Sequence, residues 1–398
     1  MNPLKQNGFS RTSSDYPAIR FGTITLLLLF LLIFSGISPH RGAHATPAET
    51  KENQKEKKQV FIKPLLDTPK NKSYFRELTG SIEEARRSIE VIMATAHYYP
   101  DHPGGLQRSL FVSLAEAVQR GVKVRVILDA SDWAKDITKR NEKTAEYLER
   151  KGIEVKFDKP GTTTHAKVVI IDGNKVILGS SNWNYPTYAE TFQSNVVVKS
   201  AEIARPLQKY FQALWQGKAI QTGYPARTNI GEEKKVLLLT NTAHAHPYFH
   251  FCKKLLANAR SSIKIAMFRM ARYEKFEDSF SNILLEELVK ARRRGVEVKV
   301  LLDKSEWSER TNEMNKRSSC WLLLRKVEVR FDSPSIDTHN KLIVVDEESI
   351  LIGSTNWSYY SLEKNNEIDL LIANWPAAAK PYLAFFKNLW RRGERPLR

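Results

Sequence analysis

Residues 164–183 read THAKVVIIDGNKVILGSSNW, and residues 338–357 read THNKLIVVDEESILIGSTNW. In each stretch a His and a Lys stand two apart ahead of an apolar run, His165 with Lys167 and His339 with Lys341. A strand sends alternate side chains to opposite faces, so the members of each pair share a face. Asp172-Gly173-Asn174 and Asp346-Glu347-Glu348 supply turns, and a second apolar strand returns to Gly179 or Gly353. Ser180 and Asn182, or Ser354 and Asn356, then come back to the level of the His and Lys. Two imidazoles, two ammonium groups and two carboxamides are expected to converge across a pseudo-dyad.

Working outward, the rest of the chain repeats with the same offset of 174 residues. Tyr74-Phe75 matches Tyr248-Phe249, Gly121-Val122 matches Gly295-Val296, Asp129 matches Asp303, Trp133 matches Trp307, and Trp183 matches Trp357. A repeat of this length argues for two similar halves. Within each half helix and strand patterns alternate. Residues 81–87 read as a helix running into a strand at 89–94, residues 106–119 as a helix stopped by Gly121, and residues 122–128 as a strand. In the second half, residues 282–294 read as a helix ending at Gly295 and residues 296–302 as a strand. Alternation of this kind means an α/β layered fold. Residues 221–233, with Pro and Gly, read as the junction.

The chemistry narrows the function. Lys and Asn donors in a closed site favour an anion whose charge grows in the transition state, which fits a phosphoryl group. Two histidines let one attack phosphorus while the other protonates the leaving oxygen and then activates water. No metal and no cofactor is called for. A lone HxK on a strand is more often a core histidine than a site, but here all the following motif positions recur as well.

HxK, four residues, Asp, six residues and GSxN together resemble the signature of the phospholipase D superfamily, and both copies match it throughout. The resemblance implies two phospholipase D-like lobes, each a β-sheet flanked by helices, sharing one active site at a pseudo-twofold interface. The lobes would be residues 61–225 and 226–398. It implies a catalytic set of His165, Lys167, Asp172, His339, Lys341 and Asp346. His165 or His339 would form a phosphohistidine, His165 being favoured, with the other as general acid. Lys167, Lys341, Asn182 and Asn356 would hold nonbridging phosphate oxygens, with Ser180 and Ser354 in support. Asp172 and Asp346 lie at the far end of a strand from the histidines and read as structural. Family members place an acidic residue after each motif to orient histidine; Glu367 fills that place, but Gln193 stands at the other. The amide stabilises imidazolium less than a carboxylate does.

Composition bounds the partners. A chain of 398 residues with 42% hydrophobic and 27% charged residues can bury a core, which excludes a disordered or polytopic membrane protein. A net charge of +18 attracts phosphate-rich partners, an anionic membrane surface or nucleic acid. Lys5, Arg11 and Arg20 precede an apolar run at residues 21–37, and Ala43-His44-Ala45 follows. This reads as an export signal cleaved after Ala45, or else as an uncleaved anchor. Residues 46–60 read as a charged tether, and the part beyond Ala45 keeps a charge of +15.

The expected function is hydrolysis of phospholipids to phosphatidic acid and free headgroup. The alternatives are a nonspecific endonuclease and a cardiolipin synthase-like phosphatidyltransferase; a catalytically dead binding module is disfavoured by two intact motifs. One chain carries both halves, so a monomer suffices and no protein partner is required. Cys252 and Cys320 read as free thiols, with one bridge as the alternative. His244, His246 and His250 read as surface histidines rather than metal ligands, and His97 as a loop residue able to overhang the site. Arg292-Arg293-Arg294 reads as a solvated helix end.

Overall fold

The computed structural model describes residues 60–396, apart from residues 102–104, 133, 219, 221–222, 224, 231–232, 305–307 and 334–336. The expected leader, nearly all of the tether, Trp133, Trp307 and parts of the expected junction lie outside the described residues. The first lobe opens with β1 (Phe61–Asp67), α1 (Ser73–Glu84), β2 (Ser88–Met93), α2 (Leu106–Gln119), β3 (Lys123–Leu128), α3 (Lys135–Glu149) and β4 (Glu154–Phe157). It closes with β5 (Lys167–Ile171), β6 (Lys175–Gly179), α4 (Tyr185–Ala189), β7 (Gln193–Lys199) and α5 (Ala201–Trp215). The second lobe adds an edge strand, β8 (Ala226–Ile230), and then runs β9 (Lys234–Asn241), α6 (Pro247–Ala257), β10 (Ser262–Met267), α7 (Phe280–Arg293), β11 (Glu297–Leu302) and α8 (Glu309–Leu323). It ends with β12 (Glu328–Phe331), β13 (Lys341–Val345), β14 (Ser349–Gly353), α9 (Tyr359–Glu363), β15 (Glu367–Ala373) and α10 (Pro376–Arg392).

The sheet orders are β1-β7-β6-β5-β2-β3-β4 and β8-β9-β15-β14-β13-β10-β11-β12, identical strand for strand once β8 is set aside. β2, β3 and β4 run parallel, as do β10, β11 and β12, because helices cross between them. β5 and β6, like β13 and β14, form antiparallel hairpins. Their three-residue connections hold the first two residues at positive φ, Asp172 at 52°, Gly173 at 65°, Asp346 at 51° and Glu347 at 58°, and are closed by Asn174 N donating to Ile171 O and Glu348 N to Val345 O, both at 3.1 Å.

Both faces of the central strands are buried, which explains their unbroken apolar runs. Val168 and Ile170 of β5 enter a core shared by both lobes, while Val169 and Ile171 enter one belonging to the first lobe. Leu342 and Val344 of β13 join the shared core, and Ile343 and Val345 the second lobe's own. Helices α5 and α10 add Leu207, Phe211, Tyr382 and Phe386 to the shared core. Each buried aliphatic or aromatic side chain contributes about 1.5–3 kcal/mol, so separating the lobes would expose a large part of what holds each together.

Two elements differ from the sequence reading. α1 starts at Ser73 rather than Ser81, because its cap comes from the preceding strand: Asp67 Oδ1 accepts from Ser73 Oγ at 2.5 Å and from Tyr74 N at 2.9 Å. Asn241 does the same for α6 through Tyr248 N at 2.9 Å. Within the expected junction, β8 pairs with β9 and alternates buried Ala226 and Thr228 with exposed Arg227 and Asn229.

Candidate active site

Lys167 and Lys341 open β5 and β13 and are almost fully buried, at 2% exposure each. Lys167 Nζ donates to His165 O, and Lys341 Nζ to His339 O at 2.9 Å, so each lysine folds back beside its histidine. The backbone just ahead of each strand pairs with the opposite lobe. His165 N donates to Asn366 O and Asn366 N to Thr163 O, both at 2.9 Å; His339 N donates to Phe192 O at 3.0 Å and Phe192 N to Asp337 O at 2.9 Å. These short parallel ladders deliver each histidine to an orienting residue of the other lobe.

His165 Nδ1 lies 2.9 Å from Glu367 Oε2. His339 Nδ1 lies 3.1 Å from Ser180 O and 3.2 Å from Gln193 Oε1. The partners are therefore exchanged between lobes, an arrangement that offset comparison of the halves does not reveal. Both neighbours of His339 Nδ1 are acceptors, so that nitrogen carries the proton and Nε2 keeps its lone pair. Glu367 is fully buried and its Oε1 accepts from Asn365 Nδ2 at 3.2 Å, while Gln193 Nε2 donates to Thr191 Oγ1 at 2.7 Å. Ser180 Oγ donates to Gln193 Oε1 at 2.6 Å, and Ser354 Oγ accepts from Ile368 N at 3.0 Å. The two serines thus brace the orienting residues from behind. Asn182 and Asn356 follow at the ends of the second hairpin strands, each with a buried Oδ1 that has no hydrogen-bond partner among the described residues.

Burial lowers both histidines well below the ordinary imidazole range, and the charges of Lys167 and Lys341 lower them further. They are therefore neutral and nucleophilic near pH 7. Burial also brings Lys167 down to about 8 against the pull of Glu367, and pushes Lys341 well below the ordinary lysine range with Lys167 adding to the effect. Glu367 is raised to about 7 by burial, with Lys167 opposing. A phosphodiester anion between the two ammonium groups would relieve this crowding of cations. It would also ease protonation of both histidines, which the same cations disfavour.

The matching family model, described as cardiolipin synthase, PLD-like domain, covers residues 78–215 and again 252–390, one match in each lobe. The chain belongs to the phospholipase D superfamily. A phospholipase D of Rickettsia bellii is 34% identical over 128 residues, 32% of this chain and 56% of the relative. A cardiolipin synthase A of Buchnera aphidicola is 25% identical over 335 residues, 78% of this chain and 65% of the relative. The chain thus spans between about half and two thirds of the curated relatives it matches. In fold it is similar to the phosphatidylserine synthase of Haemophilus influenzae, with a TM-score of 0.64 at 11% identity over 84% of this chain and 87% of that one.

Not every member of the phospholipase D signature joins the site. Asp172 accepts from the backbone N–H groups of Arg86, Arg87 and Ser88, and Asp346 from those of Arg260, Ser261 and Ser262. Burial raises these carboxyls, but the converging amides outweigh it and hold both below the usual range. Each aspartate ties its hairpin turn to the start of β2 or β10, away from the histidines. The His97 ring lies 3.8 Å from that of Tyr99, tilted by 36°, and burial lowers it to about 4 with Arg140 and Lys143 adding to the shift.

His244 and His250 are exposed, whereas His246 is half-buried at the start of α6 against the Phe280 ring and makes no side-chain cap; among the described residues no His, Cys, Asp and Glu cluster suits a metal. Arg292 and Arg294 donate to backbone carbonyls of Lys326 and Leu256. Cys252 is buried, Cys320 exposed, and both are free. Trp183 and Trp357 are core residues that donate to Tyr74 and Tyr248 hydroxyls.

Sequence reasoning missed Arg269 and Phe268, which follow β10. The Phe268 ring lies 4.7 Å from His339, and the charge of Arg269 reaches both His165 and Lys341. The signal was present in the register of the repeat, where Arg269 stands opposite Thr95.

Proposed function

We propose that the chain is a metal-independent phospholipase D-type hydrolase that releases a phospholipid headgroup and leaves phosphatidic acid. The observation that carries this reading is the exchanged pair of histidines, each with Nδ1 committed to the other lobe and Nε2 left for chemistry. In the first step His165 Nε2 attacks phosphorus, the bond to the headgroup oxygen breaks, and His339 gives that oxygen its proton. In the second, His339 takes a proton from water, whose oxygen displaces His165 from phosphorus. Lys167, Lys341, Asn182 and Asn356 hold the nonbridging oxygens as their charge grows. These side chains supply nucleophile, acid and charge stabilisation, the roles a metal would otherwise fill. Glu367 favours His165 as nucleophile, since a phosphohistidine ring carries positive charge that a carboxylate stabilises better than the amide of Gln193.

A lipid surface is favoured by Tyr185, Tyr359, Tyr360 and Phe276, large exposed side chains on the segments that follow the motifs and β10. Aromatic side chains of this kind settle at membrane interfaces, and the charge of +15 beyond Ala45 would draw the protein to anionic lipid. In this reading the N-terminal segment exports the enzyme or anchors it. Transfer to an alcohol is the second reading, favoured by the cardiolipin synthase description of the family model, and it differs only in what attacks the phosphohistidine. The test incubates the chain from Thr46 onward, with chelator, on phospholipid vesicles with and without glycerol, and on plasmid and single-stranded DNA. Headgroup release that is absent from His165→Asn and His339→Asn supports the lipid reading. DNA degradation without lipid turnover makes the chain a nuclease, and a glycerol adduct in place of phosphatidic acid makes it a transferase.

A further inference from the structure

Besides the exchange of Glu367 for Gln193, the two halves of the site differ in charge at a second position. In the first lobe, Ala94 N donates to Ala166 O at 3.1 Å and Trp183 N to Thr95 O at 2.8 Å. In the second, Phe268 N donates to Asn340 O at 2.8 Å and Trp357 N to Arg269 O at 3.0 Å. Thr95 and Arg269 therefore occupy the same backbone position, pinned between the HxK segment and the residue after the motif asparagine. A short hydroxyl stands on one side of the pseudo-dyad and a long guanidinium on the other. Arg269 has no carboxylate partner among the described residues. Its Nε and Nη2 both donate to one oxygen, Thr311 Oγ1, at 3.2 and 2.9 Å, which leaves the other N–H groups of a half-buried side chain uncommitted. Thr311 itself has no equivalent, since Ile137 stands at its place in the first lobe.

The scissile phosphate does not call for this cation. It has two nonbridging oxygens, and the symmetric set of Lys167, Lys341, Asn182 and Asn356 already offers them donors from both lobes. Arg269 lies off that symmetry. A guanidinium with free N–H groups is suited to a carboxylate or phosphate, which it can hold through two parallel hydrogen bonds. In a phospholipid the diacylglyceryl side carries no charge, so a second anion can only belong to the headgroup. We propose that Arg269 forms a headgroup subsite that selects phospholipids whose headgroup bears a second anionic group, a carboxylate or a phosphate, over those with a choline or ethanolamine headgroup. This inference rests on the lipid reading above and makes the substrate lie in one direction across a pseudo-symmetric cleft.

The test separates binding from turnover. Affinities of glycerophosphoserine and glycerophosphocholine for the chain from Thr46 onward are measured by calorimetry. Release of serine and choline from the corresponding dihexanoyl lipids is measured below their micelle concentrations, so that no charged surface biases the result. The wild type is expected to favour the serine compounds by about 10-fold or more, the scale of one charge-assisted contact. Arg269→Met should cut that preference to near unity mainly through KM, and Arg269→Lys should keep part of it. Equal affinity of the wild type for both diesters overturns the subsite. A parallel loss on both diesters in Arg269→Met also overturns it, because Arg269 would then serve the scissile phosphate. Should no headgroup be released while the binding preference holds and vanishes in Arg269→Met, the subsite stands and the hydrolase reading fails. Arg269→Thr, which restores the residue of the first lobe, guards against a packing artefact, since both uncharged variants must agree.

Discussion

At the scale of single residues, the side chains proposed to hold phosphate are symmetric, and those that stand behind them are not. His165 faces the buried carboxylate of Glu367, and His339 faces an amide oxygen and a backbone carbonyl. A carboxylate lowers the energy of a positively charged imidazole more than neutral acceptors do, and loss of the partner that orients a metal-bound histidine commonly costs about 10–100-fold, a scale carried over here to the orienting carboxylate. Glu367→Gln is expected to lower kcat by about that factor, and Gln193→Ala by clearly less, because Ser180 O still holds His339 Nδ1. Steady-state rates on a soluble short-chain lipid decide the matter, and equal small effects would remove the proposed division of labour. His339 allows a second check. The cations that depress it are partly neutralised when an anion binds, so inorganic phosphate should raise its pKa. Histidine resonances followed by NMR across pH would show that shift. By linkage, phosphate then binds with proton uptake, and its affinity falls as pH rises through the His339 value of the complex. It falls further as Lys167 loses its proton around 8.

At the scale of elements, hairpins and ladders decide where those residues stand, and here the sequence was legible only in part. The HxK and GSxN spacings revealed the β5–β6 and β13–β14 hairpins because alternation and turn chemistry are local. The Thr163–Asn366 and Phe192–Asp337 pairings were not legible, since nothing local in Glu367 says that it serves a histidine 202 residues away. The start of α1 was missed for the same reason, its cap being Asp67. The aspartates of the signature separate the two kinds of information. Asp346 accepts from three successive amides and does not touch the histidines, so Asp346→Ala is expected to cost about 2–4 kcal/mol of stability. At a temperature where the variant remains folded, it should keep kcat within about threefold. Gly353 does the opposite. A Cβ there would meet Asp369 Cα and Ile368 O, each at 2.5 Å, as well as the Asp369 carboxylate. Gly353→Ala therefore pushes β14 from β15, and with them Asn356 from Glu367. A displacement of about 1 Å at such groups can cost on the order of 100-fold in kcat, and a folded but slow enzyme is the outcome to look for by circular dichroism and assay together.

For the molecule as a whole, two lobes share one hydrophobic core, and the same interface that stabilises them also collects charge that destabilises them. Lys167 and Lys341 are buried side by side with two histidines and the nearby Arg269, facing the carboxylate of Glu367, with Asp129 and Asp369 also acting on Lys167 and Asp303 on Lys341. Lys341 is the clearest case. Its ammonium donates to His339 O and lies 4.8 Å over the Phe268 ring, with no carboxylate partner among the described residues. Its pKa is pushed well below the ordinary value of 10.5, by burial first and then by Lys167. The folded state therefore binds fewer protons than the unfolded state at pH values between the folded pKa and 10.5. Stability gains from rising pH across that window, and the cost of burying Lys341 is largest below it. Lys341→Met keeps an unbranched side chain only one heavy atom shorter, removes the charge and relieves the remaining cations. At pH 7 the variant is expected to melt roughly 2–5 °C higher than the wild type while losing at least about 100-fold in kcat. The difference in melting temperature should narrow as pH approaches 10. A lower melting temperature at pH 7 would mean that the Lys341 ammonium contributes to the empty fold, and the view of this cleft as a strained anion receptor would have to be abandoned.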